Sequence, residues 1–386
     1  MLYSNKKVLL VTSDFVYPPN HGDRVDIWNR ILCLKKMGFE IDLVCTVKKQ
    51  PLDEYIKIVK QYINKLFLVK RKNNLIDMLF KEPLQMKSRY GLKKIKFVKS
   101  YDYVLLQGTY VFPIKHNKTL KYKKIFLRMN NDESIYFKGL GKSSKNFLSK
   151  IYYYMESYKF KYIDKKIVKE IPNILFVSYE EMENYKRYYF NIRAYFLPTA
   201  VEEQLKRREL KYRNVIFIGS LFMVNNKEAI EYYIENIHPL LMDIKDYNLI
   251  IAGNSKEEGI KWIEKMASKY KNIEIIDSPK TLDSIYEKAT VFINPMLHGA
   301  GVKLKTINAI VNGMPVVSTT IGNQGTGLKH GKHIYIADDI EKYVYYIRLL
   351  LEDKEKRIEI VKNGQEYIKE NYNQEKCLTR IFQYSI

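Results

Sequence analysis

Carboxylates are the scarce group in this sequence. Against 66 Lys and Arg stand 43 Asp and Glu, a formal net charge of +23 over 386 residues. The shortage is local: residues 1–200 hold 39 basic against 18 acidic side chains, whereas residues 201–386 hold 27 against 25. A lysine-rich composition alone would not leave one half neutral and the other strongly basic. A field of that size attracts anionic surfaces or polymers. Cysteine is nearly missing as well. Cys33, Cys45 and Cys377 are an odd number without metal-ligand spacing, which suits core packing in a reducing compartment. No apolar run approaches the roughly 18–20 residues of a membrane span. The opening MLYSNKKVLLVTSDF has too short an apolar stretch, and no small-residue cleavage signal, for a signal peptide. A cytoplasmic location is therefore expected. No Gly-x-Gly-x-x-Gly follows the first strand and no Asp-x-Asp motif is visible, so neither a dinucleotide cofactor nor a metal is expected. Nor is nucleic acid, because only the charge would support it and no helix-turn-helix, zinc or single-strand-binding signature does.

What is present is enough apolar material for two cores, 46% of the chain. The most informative stretch is NPMLHGAGVKLKTINAIVNGMPVVSTTIGNQGTGL, residues 294–328. An apolar run ends at Pro295, a loop carries Gly299 and Gly301, and Leu304, Ile307, Ile310 and Val311 then recur at helical spacing. The helix stops at Gly313 and Pro315, and residues 316–319 look like the next buried strand. Its first turn holds Lys303 and Lys305 and no acid, although the positive end of a helix favours negative side chains by roughly 0.3–1 kcal/mol. Free N–H groups, a glycine loop and two ammonium groups together make a phosphate site. Two lysines splayed into solvent would give the same pattern.

Gly299-Ala300-Gly301-Val302-Lys303-Leu304-Lys305, then Asn308-Ala309-Ile310 and Gly313-Met314-Pro315-Val316-Val317, resembles the donor-binding segment of family 4 glycosyltransferases. The resemblance implies the GT-B architecture, two doubly wound Rossmann-like domains facing across a cleft. In that family two glutamates, one touching the sugar hydroxyls and one the ribose, usually occupy the positions of Ala300 and Asn308. The Gly-Ala-Gly-Val-Lys-Leu-Lys branch commonly lacks the first acid; Asn308 is a further departure, since an amide hydrogen-bonds a hydroxyl without charge assistance.

In chain order, an apolar strand at residues 8–12 opens onto Ser13-Asp14-Phe15-Val16-Tyr17-Pro18-Pro19-Asn20-His21-Gly22-Asp23-Arg24. A helix then carries Ile27, Ile31, Leu34 and Met37, ending at Gly38 before a second strand, residues 41–46. The first loop lies where open parallel sheets bind ligands. Its Pro18-Pro19 and His21-Gly22-Asp23-Arg24 are similar to the loop that reaches the acceptor in these transferases. Residues 81–100 interleave Lys87, Arg89, Lys93, Lys94, Lys96 and Lys99 with apolar and aromatic side chains, as an interfacial segment would; a solvated helix with a core face reads equally well. Residues 146–166 hold five tyrosines and five lysines without a clean stripe, a composition suited to a wet boundary. Strands at 103–107 and 124–127 follow one another, and the second leads into Arg128-Met129-Asn130-Asn131-Asp132-Glu133. This resembles a subgroup loop that reads Arg-x-His-Asn-x-Glu, with Asn130 in the histidine position. A helix N-cap is the other reading of Asp132 and Glu133. Residues 198–212 look like a linker. Beyond it, alternating strands and helices give a second doubly wound α/β domain.

The expectations are as follows. Domain boundaries fall at 1–200 (acceptor side), 201–365 (nucleotide-sugar donor side) and 366–386, a last helix returning to the first domain. Gly219, Ser220, Gly299, Gly301, Lys303, Lys305 and Asn308 are the donor-binding candidates. Asn131, Glu133 and His21 are the catalytic candidates, and Gly22, Asp23, Arg24 and Arg128 lie on the acceptor side. The resemblance implies a retaining, metal-independent transfer from a nucleotide sugar to a glycan or lipid-linked glycan in surface polysaccharide assembly. The charge adds an anionic membrane surface as a partner, with peripheral placement at the inner membrane face. With both family glutamates replaced, a non-catalytic sugar-nucleotide or glycan-binding protein of the same fold stays open.

Overall fold

Residues 8–11, Val-Leu-Leu-Val, show why the first half folds as it does. In a strand, successive side chains point to opposite faces. Val8 and Leu10 enter one apolar cluster and Leu9 and Val11 another, all fully buried. A strand buried on both faces belongs inside a parallel sheet covered by helices. The computed structural model describes residues 3–19, 22–72, 74, 77–78, 80–130, 132–144, 146–201, 204–299 and 301–384. The chain forms two compact units, one taking residues up to Val177, Glu181–Ala200 and the segment from Gln374, the other Ser178–Glu180 and Val201–Asn373.

The first unit is built on β1 (Lys7–Thr12), β2 (Glu40–Val47), β3 (Lys65–Lys70), β4 (Ser100–Gln107), β5 (Lys121–Met129), β6 (Asn173–Phe176) and β7 (Arg193–Phe196). Their order is β3-β2-β1-β4-β5-β6-β7, parallel throughout. Helices α1 (Gly22–Met37), α2 (Asp53–Lys60), α3 (Leu84–Lys87), α4 (Glu133–Ser143), α5 (Phe147–Glu170) and α6 (Tyr179–Tyr188) connect them. Strand β3 escapes the sequence reading because it is an edge: its apolar residues are only half-buried and lysines stand at both ends.

Residues 81–100 have the core face that one of their two readings expected, but on two short turns and not on one helix. They form the single turn α3 and a 3₁₀ turn over Tyr90–Lys94, with Met86, Leu92 and Phe97 buried in the core. The segment is tied down from within. The fully buried Glu156 carboxylate accepts the Leu84 N–H, at 2.9 Å to Oε2, and the Lys159 ammonium at 3.2 Å. An acid at the start of a helical turn satisfies an otherwise orphaned donor. Met86, Leu92 and Phe97 are core, whereas Val98, Lys94 and Lys96 are exposed.

The second unit repeats the plan with β8 (Asn214–Ile218), β9 (Asn248–Gly253), β10 (Ile273–Asp277), β11 (Val291–Asn294), β12 (Val316–Ser318) and β13 (Tyr335–Ile336), in parallel order β10-β9-β8-β11-β12-β13. Its helices are α7 (Val224–Tyr232), α8 (Lys261–Ala267), α9 (Asp283–Glu287), α10 (Leu304–Val311), α11 (Ile340–Glu352) and α12 (Lys354–Asn371). The helical stretch that begins with α7 is broken: a π turn at Tyr233–Ile237 and a 3₁₀ turn at His238–Leu241 follow it, because Pro239 has no N–H to continue the ladder. The described residues of the linker have no regular structure, yet they are not loose. The Lys206 N–H donates to the Val311 carbonyl at 2.8 Å, and Gln365 Nε2 donates to the Lys206 carbonyl at 2.8 Å.

The last helix, α13 (Gln374–Tyr384), belongs to the first unit. Leu378, Ile381 and Phe382 join the cluster of β1 and α1, and the Phe382 ring stacks on Tyr103 with centroids 4.2 Å apart. Among the described residues, no helix is long and apolar enough to cross a membrane.

Candidate functional site

The glycine loop and the start of α10 are fixed by a buried polar clamp. Asn294, at the end of β11, donates from Nδ2 to Thr306 Oγ1 (2.9 Å) and to the Gly322 carbonyl (2.8 Å), and Thr306 Oγ1 donates to the same carbonyl (2.7 Å). These three bonds tie β11, α10 and the Gly322 turn together in one geometry, although the buried Asn294 Oδ1 itself accepts no bond from a described residue. Gly299 and Gly301 turn the loop at φ 127° and 80°, values that residues with a Cβ rarely adopt. Their carbonyls accept the Lys303 ammonium at 3.2 and 2.9 Å, so Lys303 is 5% exposed and wrapped by its own loop. The Leu304 and Thr306 N–H groups bond locally, to the carbonyls of Val302 and Lys303. The first turn therefore offers fewer free N–H groups than its sequence suggests, and most of its positive charge is carried by side chains.

Lys305 reaches toward the neighbouring strand. Its ammonium donates to Asn226 Oδ1, stands 4.6 Å from the Phe217 ring centroid and lies against Gly219, where a Cβ would come within 3.2 Å of it. Asn226 is itself held, Nδ2 donating to the Ser220 carbonyl at 2.9 Å. Gly253 permits this approach: a Cβ there would fall 1.7 Å from the Gly219 carbonyl oxygen. β8 and β11 are paired neighbours, so Gly219-Ser220 and the Gly299–Lys305 segment meet at the same carboxyl edge. No carboxylate of a described residue pairs with Lys305. Burial pushes its pKa down to about 7, with Lys303 adding like-charge repulsion, and burial also lowers Lys303. Asn308, one turn further on, is exposed; it and Lys305 line a cavity of about 350 Å³ with Lys206, Asp283 and Tyr286. The lysines are not splayed. Ala300 lies outside the described residues.

In the first unit the cations are answered differently. Arg128, 2% exposed at the end of β5, places Nη1 2.8 Å from Asp26 Oδ2 and the same distance from Asn130 Oδ1. Asp26 also takes Arg30 Nη2 at 3.2 Å, and all three are buried. Desolvation lowers Arg128 to about 10. Asp23 lies close by, its Oδ1 accepting Asn130 Nδ2 at 3.4 Å. Arg24 pairs with Asp14 at 3.0 Å, and Arg71 stands 3.6 Å from the same carboxylate. Buried Arg89 donates to neutral oxygens, among them Thr46 Oγ1 at 3.1 Å and the Ser13 carbonyl at 3.2 Å. Asp14, Asp23, Arg24, Arg71, Arg89 and Tyr110 line a cavity of about 460 Å³.

Glu133 begins α4 and is 7% exposed, its Oε2 accepting the Tyr110 hydroxyl at 2.5 Å. Burial raises its pKa to about 7; the Tyr110 bond opposes the rise. Asp132 is the N-cap, accepting the Ile135 N–H at 3.0 Å. His21 and Asn131 lie outside the described residues. Gly22 opens α1.

Sequence reasoning missed Asn226, Tyr110 and Asp26. Asp26 and Arg30 left a trace: opposite charges four apart, each beside an apolar residue of the buried α1 face. Nothing in spacing marks Asn226 or Tyr110, which meet their partners only through the fold.

Residues 212–353 match the family model described as "Glycosyl transferases group 1". An "Uncharacterized 44.6 kDa protein in cps region" of Klebsiella pneumoniae is 37% identical over 97% of this chain and 99% of its own length. Among solved structures, TarM is 12% identical, covering 98% of this chain and 99% of its own, with a TM-score of 0.66. Anabaena HepE in complex with UDP-glucose is 10% identical, covering 98% and 99%, with a TM-score of 0.58. At such identities the structural likeness speaks for the fold, which is GT-B.

Proposed function

The chain belongs to the group 1 glycosyl transferases, and from that premise we propose that it moves a sugar from a nucleotide diphosphate donor to a glycan or lipid-linked glycan at an anionic membrane face. One observation carries the donor side: the Lys305 ammonium is inside the second unit, beside the glycine loop, held by an amide oxygen and by no described carboxylate. A desolvated cation gains most from an anion, and a diphosphate supplies one. The solved structure of HepE with UDP-glucose supports a nucleotide-sugar ligand for this fold. In transfer the bond between the anomeric carbon and the phosphate oxygen breaks, and the departing oxygen takes the electron pair. Lys303 and Lys305 would meet that growing charge, electrostatic stabilisation of the kind a divalent cation provides elsewhere. Asn308, on the same cavity, would hydrogen-bond a ribose hydroxyl, the role its position has in the family resemblance. The family resemblance supports retention of configuration.

On the acceptor side the reading rests on the cavity of Asp23, Arg24 and Tyr110, with Glu133 tied to it through the Tyr110 hydroxyl. A carboxyl group near pKa 7 exchanges protons at neutral pH, which suits the proton released by an acceptor hydroxyl. The cps-region relative and the basic first 200 residues support surface polysaccharide assembly as the setting. The test is a screen of nucleotide sugars by thermal stabilisation, where ligand at 100 times its dissociation constant adds about 2.7 kcal/mol. Turnover of the stabilising donor, with and without EDTA, comes next. Stabilisation followed by transfer that survives chelation is the expected result. Stabilisation without transfer would favour a binding protein, and rescue only by magnesium or manganese would refute the metal-independent mechanism.

A further inference from the structure

A helix that packs one face on a core usually turns polar residues to the other. α5 does not. Its inner face buries Phe160, Ile163 and Ile167. Its outer side exposes Phe147, Leu148, Ile151, Tyr154, Tyr158 and Tyr162, with Phe147, Leu148 and Tyr158 each more than 70% accessible. At about 100° per residue these six positions fall within roughly 120° of the circumference. Apolar arcs on opposite sides cancel in a sequence pattern, which is why residues 146–166 show no clean stripe. α4 extends the arc with Ile135 and Tyr136, 64% and 49% exposed.

The polar side chains around this arc carry one sign. Lys138 and Lys142 of α4 and Lys150, Lys161, Lys165, Lys166 and Lys169 of α5 are exposed. The acids of α5 are withdrawn: Glu156 and Asp164 are buried, and half-buried Glu170 pairs with Lys166 and His116. Two copies joined through this face would set lysine against lysine. An acidic bilayer satisfies both features, taking ammonium groups among its headgroups and the rings below them.

We propose that the α4–α5 hairpin is the membrane-docking surface of this protein and that its occupant is an anionic lipid bilayer. Tyr136 belongs both to the exposed arc and to the wall of the 460 Å³ cavity, which Tyr152 and Tyr153 of α5 also line. Docking through the arc brings that cavity's rim to headgroup level, where a lipid-linked acceptor presents its sugar. The docking itself is independent of sugar transfer, so a failed transfer assay leaves it standing.

The experiment floats the full-length chain with phosphatidylcholine vesicles with or without phosphatidylglycerol. The parent is expected to bind only the anionic vesicles and to release as salt rises. F147S/L148S/I151S alters exposed positions alone, so its melting should match the parent while vesicle affinity falls at least tenfold. K165Q/K166Q should lose about 25-fold, from roughly 1 kcal/mol per lysine. K94Q/K96Q, in the other segment that the sequence offered as interfacial, should stay within twofold or threefold of the parent. The proposal is overturned if the parent ignores anionic vesicles, if the serine variant binds them as the parent does, or if sedimentation shows the arc holding a dimer that does not bind lipid.

Discussion

The Asp26 and Lys305 sites hold their cations in opposite ways. In the first, Arg30 and Arg128 close on Asp26 within a salt-bridge distance, so each has a carboxylate inside the protein. In the second, Lys305 is held by an amide oxygen with no described carboxylate at its side, and its charge is left for something else to settle. Both clusters lie at the carboxyl ends of parallel strands, where such sheets bind ligands. The difference shows that basic residues at that edge do not by themselves mark a ligand site. What marks it is a cation whose neighbours are neutral.

The largest test of that contrast removes the internal anion. Asp26→Asn leaves two buried guanidinium groups facing an amide and should destabilise by about 3–5 kcal/mol, read as a fall in the denaturant midpoint of the first unit. Lys305→Ala should do the reverse in the absence of ligand, folding at least as stably as the parent because it deletes a desolvated charge. If Asp26→Asn is harmless and Lys305→Ala unfolds the protein, the assignment of structural and functional cations is inverted.

With ligand present the ranking changes. Lys305→Ala and Lys303→Ala should weaken nucleotide binding tenfold or more, as expected for a lost charged hydrogen bond worth about 1.5–3 kcal/mol. Asn308→Ala should lose only about threefold to fivefold, since a neutral hydrogen bond contributes near 1 kcal/mol. Titration calorimetry on the three variants orders them; parental affinity in both lysine variants would remove the anion site.

Titration gives the smallest and most diagnostic effects. Lys305 has a folded pKa lowered from 10.5 to about 7, so between those values the unfolded chain binds more protons and ligand-free stability should rise with pH. Glu133 has a folded pKa raised from 4.5 to about 7, so between those values the folded chain binds more protons and stability should fall as pH rises. Glu133→Gln should flatten the lower window and Lys305→Met the upper one, in melting temperatures measured across pH. Nucleotide binding above pH 7 should also take up a proton, visible as a buffer-dependent heat. Proton-neutral binding at pH 8 would mean that Lys305 does not meet the phosphate.

The α/β class of each half was legible because buried parallel strands are short continuous apolar runs, as at residues 8–12 and 291–294. The glycine loop and its lysines were legible for a related reason: helix ends and positive φ values demand particular residues. What stayed hidden depends on contacts distant in sequence. Asn226 acquires its meaning only when Lys305 arrives 79 positions later. Residues 81–100 stayed open between an interfacial segment and a helix with a core face because nothing local announces Glu156, the acid that fastens them down. α5 misled in the other direction, since a helix apolar on two opposite sides has no moment to detect.

The place of α13 has a consequence for how the chain is made. The first unit's core is completed by residues that follow all of Val201–Asn373 in the sequence. At synthesis rates of about 5–20 residues per second, the ribosome needs roughly ten to thirty seconds to traverse that interval. Throughout it Tyr3, Phe39 and Tyr103, the rings that Phe382 later covers, stay open to water on a tethered, half-finished chain. The early half of the polypeptide must therefore wait for the late half, and a holdase that shields aromatic surface has its natural moment there.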